Sequence, residues 1–255
     1  MEIDDLNIIN LDKNQIKYQV EIRRGKENEK FIYVYENREN NCIIKNLEED
    51  TNYEIKICSL YNNIKSNYSQ IYKIKTELDC IILNNNGKRK EYIDKILEWS
   101  GFKSMKLLYR GTRDGMTSKD FHDKCDNKGK TICLFLNDKG NIFGGYSSIP
   151  WSYERGDKTD KECFLFTLTN IYNTEPTKFP YEKNRSVFHS SEHGPIFGSG
   201  SDLGFGKNFL SNNNCWSNFP NSYKDILGKG KSIFTGENNT SYFILKELEI
   251  FELFN

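Results

Sequence analysis

The sequence predicts a mainly β chain of two domains, a small β-sandwich over residues 1–77 and a larger β-rich domain over residues 78–255. Three observations lead there. Within the first 77 residues, apolar and polar positions alternate in five short runs, separated by Gly-, Asn- and Glu-rich turns roughly every ten residues, a pattern of antiparallel sandwiches. Beyond residue 78, further short apolar runs surround only two stretches of helical spacing. No strand–helix–strand rhythm is present, which argues against a parallel α/β fold. At 255 residues the chain is long enough for each domain to bury a core.

Lys plus Arg total 36 and Asp plus Glu total 36, so the formal net charge is zero and counterion-release binding to nucleic acid has no support. Mean hydropathy is low, but aromatic residues make up 14% of the chain and supply the burial that disordered chains lack. The first fourteen residues are acidic and lack a basic segment followed by an apolar one, so neither a secretory signal nor a transit peptide is expected. No apolar run is long enough for a membrane span. The seven cysteines form no C-x-x-C pair and are expected as free thiols in a reducing compartment, pointing to the cytoplasm.

The elements follow in order. Residues 17–23 place Tyr18, Val20 and Ile22 on one face, and residues 31–35 do the same with Phe31, Tyr33 and Tyr35. Residues 42–47, 53–61 and 70–76 complete the set, with 6–11 a candidate sixth strand. Residues 76–79 form the expected boundary. Residues 80–83 read as a short apolar strand and 84–87 as a turn. Residues 88–100 carry Tyr92, Ile93, Ile96 and Leu97 at helical spacing, with Trp99 off that stripe and Gly101 as the stop. A strand at 107–109 then runs into a polar turn at 110–115. Thr117 and Asp120 form a capping box for a helix at 118–125. Residues 131–136 and 142–147 form a hairpin around Gly140, followed by strands at 163–169, 187–190 and 195–197, and by one strand or a pair of strands at 241–251.

The segment Ile44-Lys-Asn-Leu47, four polar residues, Asn52-Tyr53-Glu-Ile55-Lys-Ile57 and the ending Ile74-Lys-Thr76 resemble a fibronectin type III domain over about residues 6–76. Two departures stand out: the first strand is missing, with residues 1–5 available to complete it, and the second strand lacks its usual tryptophan. From about residue 80 onward the chain resembles a TLDc domain. The matching pieces, in the family's order, are Leu107-Leu-Tyr-Arg-Gly-Thr-Arg-Asp-Gly115, Phe121-His-Asp-Lys-Cys-Asp-Asn-Lys-Gly129, Phe143-Gly-Gly-Tyr146 with Pro150-Trp151, Phe164-Leu-Phe166, Gly194-Pro-Ile-Phe-Gly198 with Asp202-Leu203, Tyr223, and Glu247-Leu-Glu-Ile-Phe251. The resemblance implies two antiparallel sheets flanked by two helices, a link to oxidative-stress resistance, and protein partners that include the V-type proton ATPase. It carries over no catalytic residue, because no catalytic mechanism is established for the family.

Candidate site residues cluster after residue 107. Arg110 and Arg113 could grip a partner's carboxylate or phosphate, since a guanidinium fork suits both; the competing expectation is one internal pair with Asp114 and the other arginine exposed. His122 and Cys125 share a helix and could form a thiol dyad if an acid oriented the imidazole. Trp151 and Trp216 are either core or partner anchors. No metal is expected: Cys125, Cys133 and Cys163 lack paired short spacing, and His189-Ser-Ser-Glu192-His193, an inverted metalloprotease pattern, falls where strand and Gly194-Pro195 exclude the helix that motif needs. No cofactor is expected either. Residues 198–204 are one residue too long for a dinucleotide fingerprint, and Gly228-Lys-Gly-Lys231-Ser232 has Asp225 where a phosphate loop has glycine. Gly144-Gly145 signals close backbone packing or a bulge. The leading expectation is therefore a non-catalytic protein-interaction module. The alternatives are a thiol-dependent hydrolase or peroxide scavenger using Cys125 and His122, and a scaffold whose specificity lies in the first domain.

Overall fold

The computed structural model describes residues 15–25, 29–39, 41–47, 51–84, 87–211 and 214–255. The chain is mainly β, built from several antiparallel sheets, and divides into two compact units, residues 1–78 and 79–255.

The described part of the first unit is a five-stranded antiparallel sheet of β1 (Lys17–Arg24), β2 (Ile32–Asn37), β3 (Asn52–Tyr61), β4 (Ile64–Lys65) and β5 (Tyr72–Lys75), in which β3 pairs with β1, β4 and β5. Register sorts its faces. Val20 lies opposite Ile57, Ile22 opposite Ile55, and Tyr53 opposite Ile74, giving an apolar face. Glu21 lies opposite Lys56 and Arg23 opposite Glu54, giving a charged face with ion pairs at 3.1 and 2.6 Å. The expected strand at 42–47 carries no ladder, and Asn46 breaks the extended run with a φ of 61°. The candidate strand at 6–11 and residues 1–5 lie outside the described residues.

The second unit starts with α1 (Arg89–Ser100), ended as predicted by Gly101 in the left-handed region, with its N–H bonded to the Leu97 carbonyl. Next come β6 (Ser104–Arg110), the single turn α2 (Gly111–Asp114) and α3 (Ser118–Cys125), whose Thr117–Asp120 capping box is fully formed. The expected polar turn at 110–115 is thus partly helical. The remaining elements are β7 (Thr131–Asn137), β8 (Ile142–Ser147), β9 (Gly156–Lys158), β10 (Phe164–Thr169), β11 (Thr177–Pro180), β12 (Val187–His189), β13 (Ile196–Phe197), β14 (Gly204–Phe205), β15 (Cys215–Trp216), α4 (Ser232–Thr235) and β16 (Leu245–Phe254).

Six strands form the main sheet in the order β11-β10-β8-β7-β16-β6; β13-β12-β9 and β14-β15 form smaller ones. Every residue of β8 is buried, as a strand covered on both faces requires. Gly144 and Gly145 make this possible. A Cβ on Gly144 would sit 2.0 Å from the Cys133 carbonyl oxygen and 2.5 Å from the Phe166 ring, and one on Gly145 would sit 2.5 Å from the Phe197 ring. Phe166 packs in turn against Trp99 of α1, with centroids 5.9 Å apart. The other face holds the main core, including Phe121, Phe135, Phe143, Trp151, Phe197 and Phe205. Residues 80–83 are not the expected strand. They form a turn, because a buried carboxylate rather than a neighbouring strand takes their backbone N–H groups.

Candidate functional site

One cross-strand row positions the polar cluster that the sequence emphasised. Arg110 lies opposite Glu249, Glu249 opposite Leu134, Leu134 opposite Gly144, and Gly144 opposite Phe166. The row's charged end is fully internal. Glu249 has no solvent exposure and Arg110 is 8% exposed. Arg110 Nε donates to Glu249 Oε1 at 2.7 Å, and Nη2 donates to Asp79 Oδ1 at 2.7 Å. Ile81 N–H, Ile82 N–H and the Cys80 thiol donate to the same Glu249 carboxylate at 3.0, 3.2 and 3.0 Å. Burial works against the charged guanidinium, yet Asp79 and Glu249 hold its pKa above the usual arginine value.

Beside this pair, Glu247 accepts from the Thr112 N–H at 3.1 Å and from the Thr112 hydroxyl. Arg113 grips Asp114 through two nitrogens, at 3.0 and 2.7 Å, which holds the Asp114 carboxyl below its usual range. Asp114 also accepts from the Arg110 N–H at 3.0 Å. Of the motif's two glycines, Gly115 is held by its backbone conformation, while Gly111 sits against the flexible end of Met116. A Cβ on Gly111 would fall 2.3 Å from the Met116 sulfur, and one on Gly115, at a φ of +114°, would fall 2.3 Å from the Asp120 carboxylate. The expected Arg–Asp pair is therefore present as Arg113–Asp114, but the expectation that the other arginine stands exposed is corrected: Arg110 is the buried member, neutralised by Glu249 and Asp79. A guanidinium so engaged has no face left for a partner's anion.

His122 and Cys125 share α3, but the structure does not join them. Cys125 has no solvent exposure, and burial pushes its thiol well above the ordinary value. The His122 ring turns elsewhere: Nδ1 lies 2.7 Å from Asp126 Oδ1, and Nε2 lies 3.1 and 3.0 Å from the carbonyl oxygens of Ser190 and His193. A nucleophilic dyad needs a stabilised thiolate beside a free imidazole nitrogen, and neither is present. Trp151, offered as an anchor, is 1% exposed and donates its indole N–H to the Thr131 hydroxyl at 2.9 Å, so it is core.

The histidine-rich motif is extended and then turns, as expected. His189 ends β12, buried, with neither ring nitrogen hydrogen-bonded; burial and then the nearby charge of Lys158 push its pKa down to about 4. No group of three His, Cys, Asp or Glu suited to a metal ion occurs among the described residues. The loop resembling a phosphate cradle is filled by its own anion: Asp225 accepts from the N–H groups of Leu227, Gly228 and Gly230 at 3.1, 2.9 and 2.6 Å. Trp216 is the tryptophan that meets solvent near a concavity. With Asn218, Lys231, Ser241 and Tyr242 it lines a cavity of about 540 Å³, Tyr242 being 47% exposed and Lys231 donating to the Ser241 hydroxyl at 3.0 Å. Sequence reasoning missed the roles of Glu247 and Glu249, although their alternation with Leu248 and Ile250 marks two acids on one strand face, and it missed the juxtaposition of Trp216 with Tyr242.

The family model for the TLDc domain matches residues 81–254. A stretch of 63 residues is 32% identical to the MTOR-associated protein MEAK7 of Danio rerio, covering 25% of this chain and 14% of that protein's length.

Proposed function

The chain belongs to the TLDc family, and on that footing we propose that it is a non-catalytic protein-interaction module that binds peripheral subunits of the V-type proton ATPase in the cytoplasm, with resistance to oxidative stress as the downstream effect. The ATPase and the stress link come from the family resemblance. Association with mTOR is a second reading for the same module, drawn from the name of the partial relative. In this proposal the first unit is a fibronectin type III-like spacer or docking domain, and the second is a TLDc sandwich.

The observation that carries the reading is the concavity that Trp216 and Tyr242 line together with Asn218, Lys231, Asn239, Thr240 and Ser241. Tryptophan and tyrosine that combine a large apolar body with a polar tip are the side chains that dominate protein interfaces. The residues that looked most chemical support the same reading from the other side, since Arg110, Glu249, His122 and Asp225 all have partners within the chain. The test is affinity purification of the tagged full-length chain from its native cell under several nutrient and oxidant conditions, beside a Trp216→Ala/Tyr242→Ala variant and a deletion of residues 1–77. ATPase subunits should accompany the wild type and the deletion and be depleted about tenfold or more by the double variant. Their absence under every condition overturns the partner; equal capture by the double variant overturns the surface.

A further inference from the structure

Three short extended runs carry aromatic residues where alternation calls for polar ones. Phe188 stands between buried Val187 and His189 in β12, Trp216 between buried Cys215 and Ser217, and Tyr242 beside buried Phe243. Each therefore points outward, and each stays partly exposed. His193, half-buried, joins them into a row. Its ring centroid lies 6.4 Å from that of Phe188 on one side and 6.4 Å from that of Trp216 on the other. Trp216 in turn faces Tyr242 across an isolated antiparallel bridge. Bonds from the Ser217 N–H to the Ser241 carbonyl and from the Phe243 N–H to the Cys215 carbonyl flank that bridge, which makes it the closer kind of pair, with both side chains on one face.

The spacing of these rings is that of an extended chain, whose alternate side chains lie about 6.6 Å apart. A strand-like peptide laid along the row would set every second side chain against a ring. At its ends it would meet cations. The Arg155 guanidinium lies over the Phe188 ring, 5.8 Å from the centroid, and Lys231 lines the cavity with Trp216 and Tyr242. Both charges are available. Arg155 makes no ion pair among the described residues, and Lys231 donates to the Ser241 hydroxyl at 3.0 Å but meets no carboxylate there. The acids nearby are already taken, Asp157 by Arg185 and Glu192 by Lys207.

On the interaction-module reading above, we propose that this row is a docking strip for an extended segment of a partner protein, one with apolar side chains at alternate positions and an acidic residue at each end. Two available cations at opposite ends suit two carboxylates on a short segment, not the continuous charge of a nucleic acid.

The test titrates the full-length chain with three short synthetic peptides. The first has valines at alternate positions and glutamates at both ends, the second has the same core with lysines at both ends, and the third is the acidic peptide with its valines made contiguous. Fluorescence anisotropy gives the affinities, and the NMR shift of the Trp216 indole N–H localises the binding. The alternating acidic peptide should bind about tenfold tighter than the basic one, the effect of two exposed ion pairs, and more tightly than the contiguous one. An Arg155→Glu/Lys231→Glu variant should favour the basic peptide instead. No binding, equal affinity for the three peptides, an unmoved Trp216 signal, or a double variant that keeps the wild-type order overturns the strip. Should the variant fail to fold, the wild-type ranking and the indole shift decide alone. ATPase subunits that co-purify while no peptide binds would keep the module and remove the strip; ranked peptide binding without ATPase subunits would keep the strip and remove that partner.

Discussion

Replacing Glu249 by Gln isolates the charge at the centre of the second unit. The carboxylate takes the Arg110 guanidinium, the N–H groups of Ile81 and Ile82, and the Cys80 thiol, all without solvent. The amide keeps the volume but withdraws the charge, leaving Arg110 with Asp79, whose side chain is 43% exposed. Stranding one member of a buried pair costs about 3–5 kcal/mol. For a unit of this size each kcal/mol moves the midpoint by about 2–4 °C, so a fall of about 10 °C is expected in its transition. Circular dichroism gives the midpoint, and amide exchange at Ile81 and Ile82 localises the loss. An Arg110→Met/Glu249→Leu double variant removes both charges but leaves the two N–H groups without an acceptor, each worth about 1–3 kcal/mol. Together they cost about 2–6 kcal/mol, so the double variant should fall in the same range as the single one although no buried charge is left. A single variant within about 0.5 kcal/mol of wild type, the range of an ordinary surface change, refutes the reasoning.

Further expectations concern the core and the loops. His189 has a folded pKa of about 4 against 6.5 for the free side chain, so the unfolded chain binds more protons between those values and stability is lost as pH falls through that window. Wild type should therefore lose about 2 kcal/mol by about pH 5 relative to His189→Phe. Taking the difference cancels Asp202, which burial raises to about 6 and which acts in the opposite direction. Gly145→Ala drives a Cβ into the Phe197 ring and should cost about 1–3 kcal/mol, whereas Gly156→Ala, with open space around it, should stay within about 0.5 kcal/mol by urea titration. Asp225→Ala leaves three loop N–H groups without their acceptor and should lower stability by about 1–2 kcal/mol, with exchange rising at Gly228 and Gly230.

Much of the fold was legible because its signals are local. Helical spacing before Gly101, the Thr117–Asp120 capping box and the glycine of the β7–β8 turn each lie within a few residues, and each was found where expected. The boundaries of β16 were less legible, since residues 241–243 bridge toward β15 and the long strand starts at Leu245. The candidate site was misread where partners lie far apart in sequence. Nothing near Arg110 reveals that Glu249, 139 residues on, neutralises it. Nothing near residue 80 shows that the same acid takes the N–H groups of an apolar run that reads as a strand. His122 and Cys125 looked paired by proximity, but a helix places residues three apart on one face without making their polar atoms meet.

The clamp at Glu249 also has a mechanical meaning. Chain entering the second unit at residue 79 is tied at once to β6 through Asp79 and to β16 through Ile81 and Ile82, and β16 runs on to residue 254, beside Ser104. Tension applied between those two points passes from a few side-chain bonds into half of one strand, a stretch of about 17 Å. The load enters the six-stranded sheet one strand in from its β6 edge, where β16 is laddered to both β6 and β7. Under pull, the strand gives way only when its ladders to both neighbours shear together.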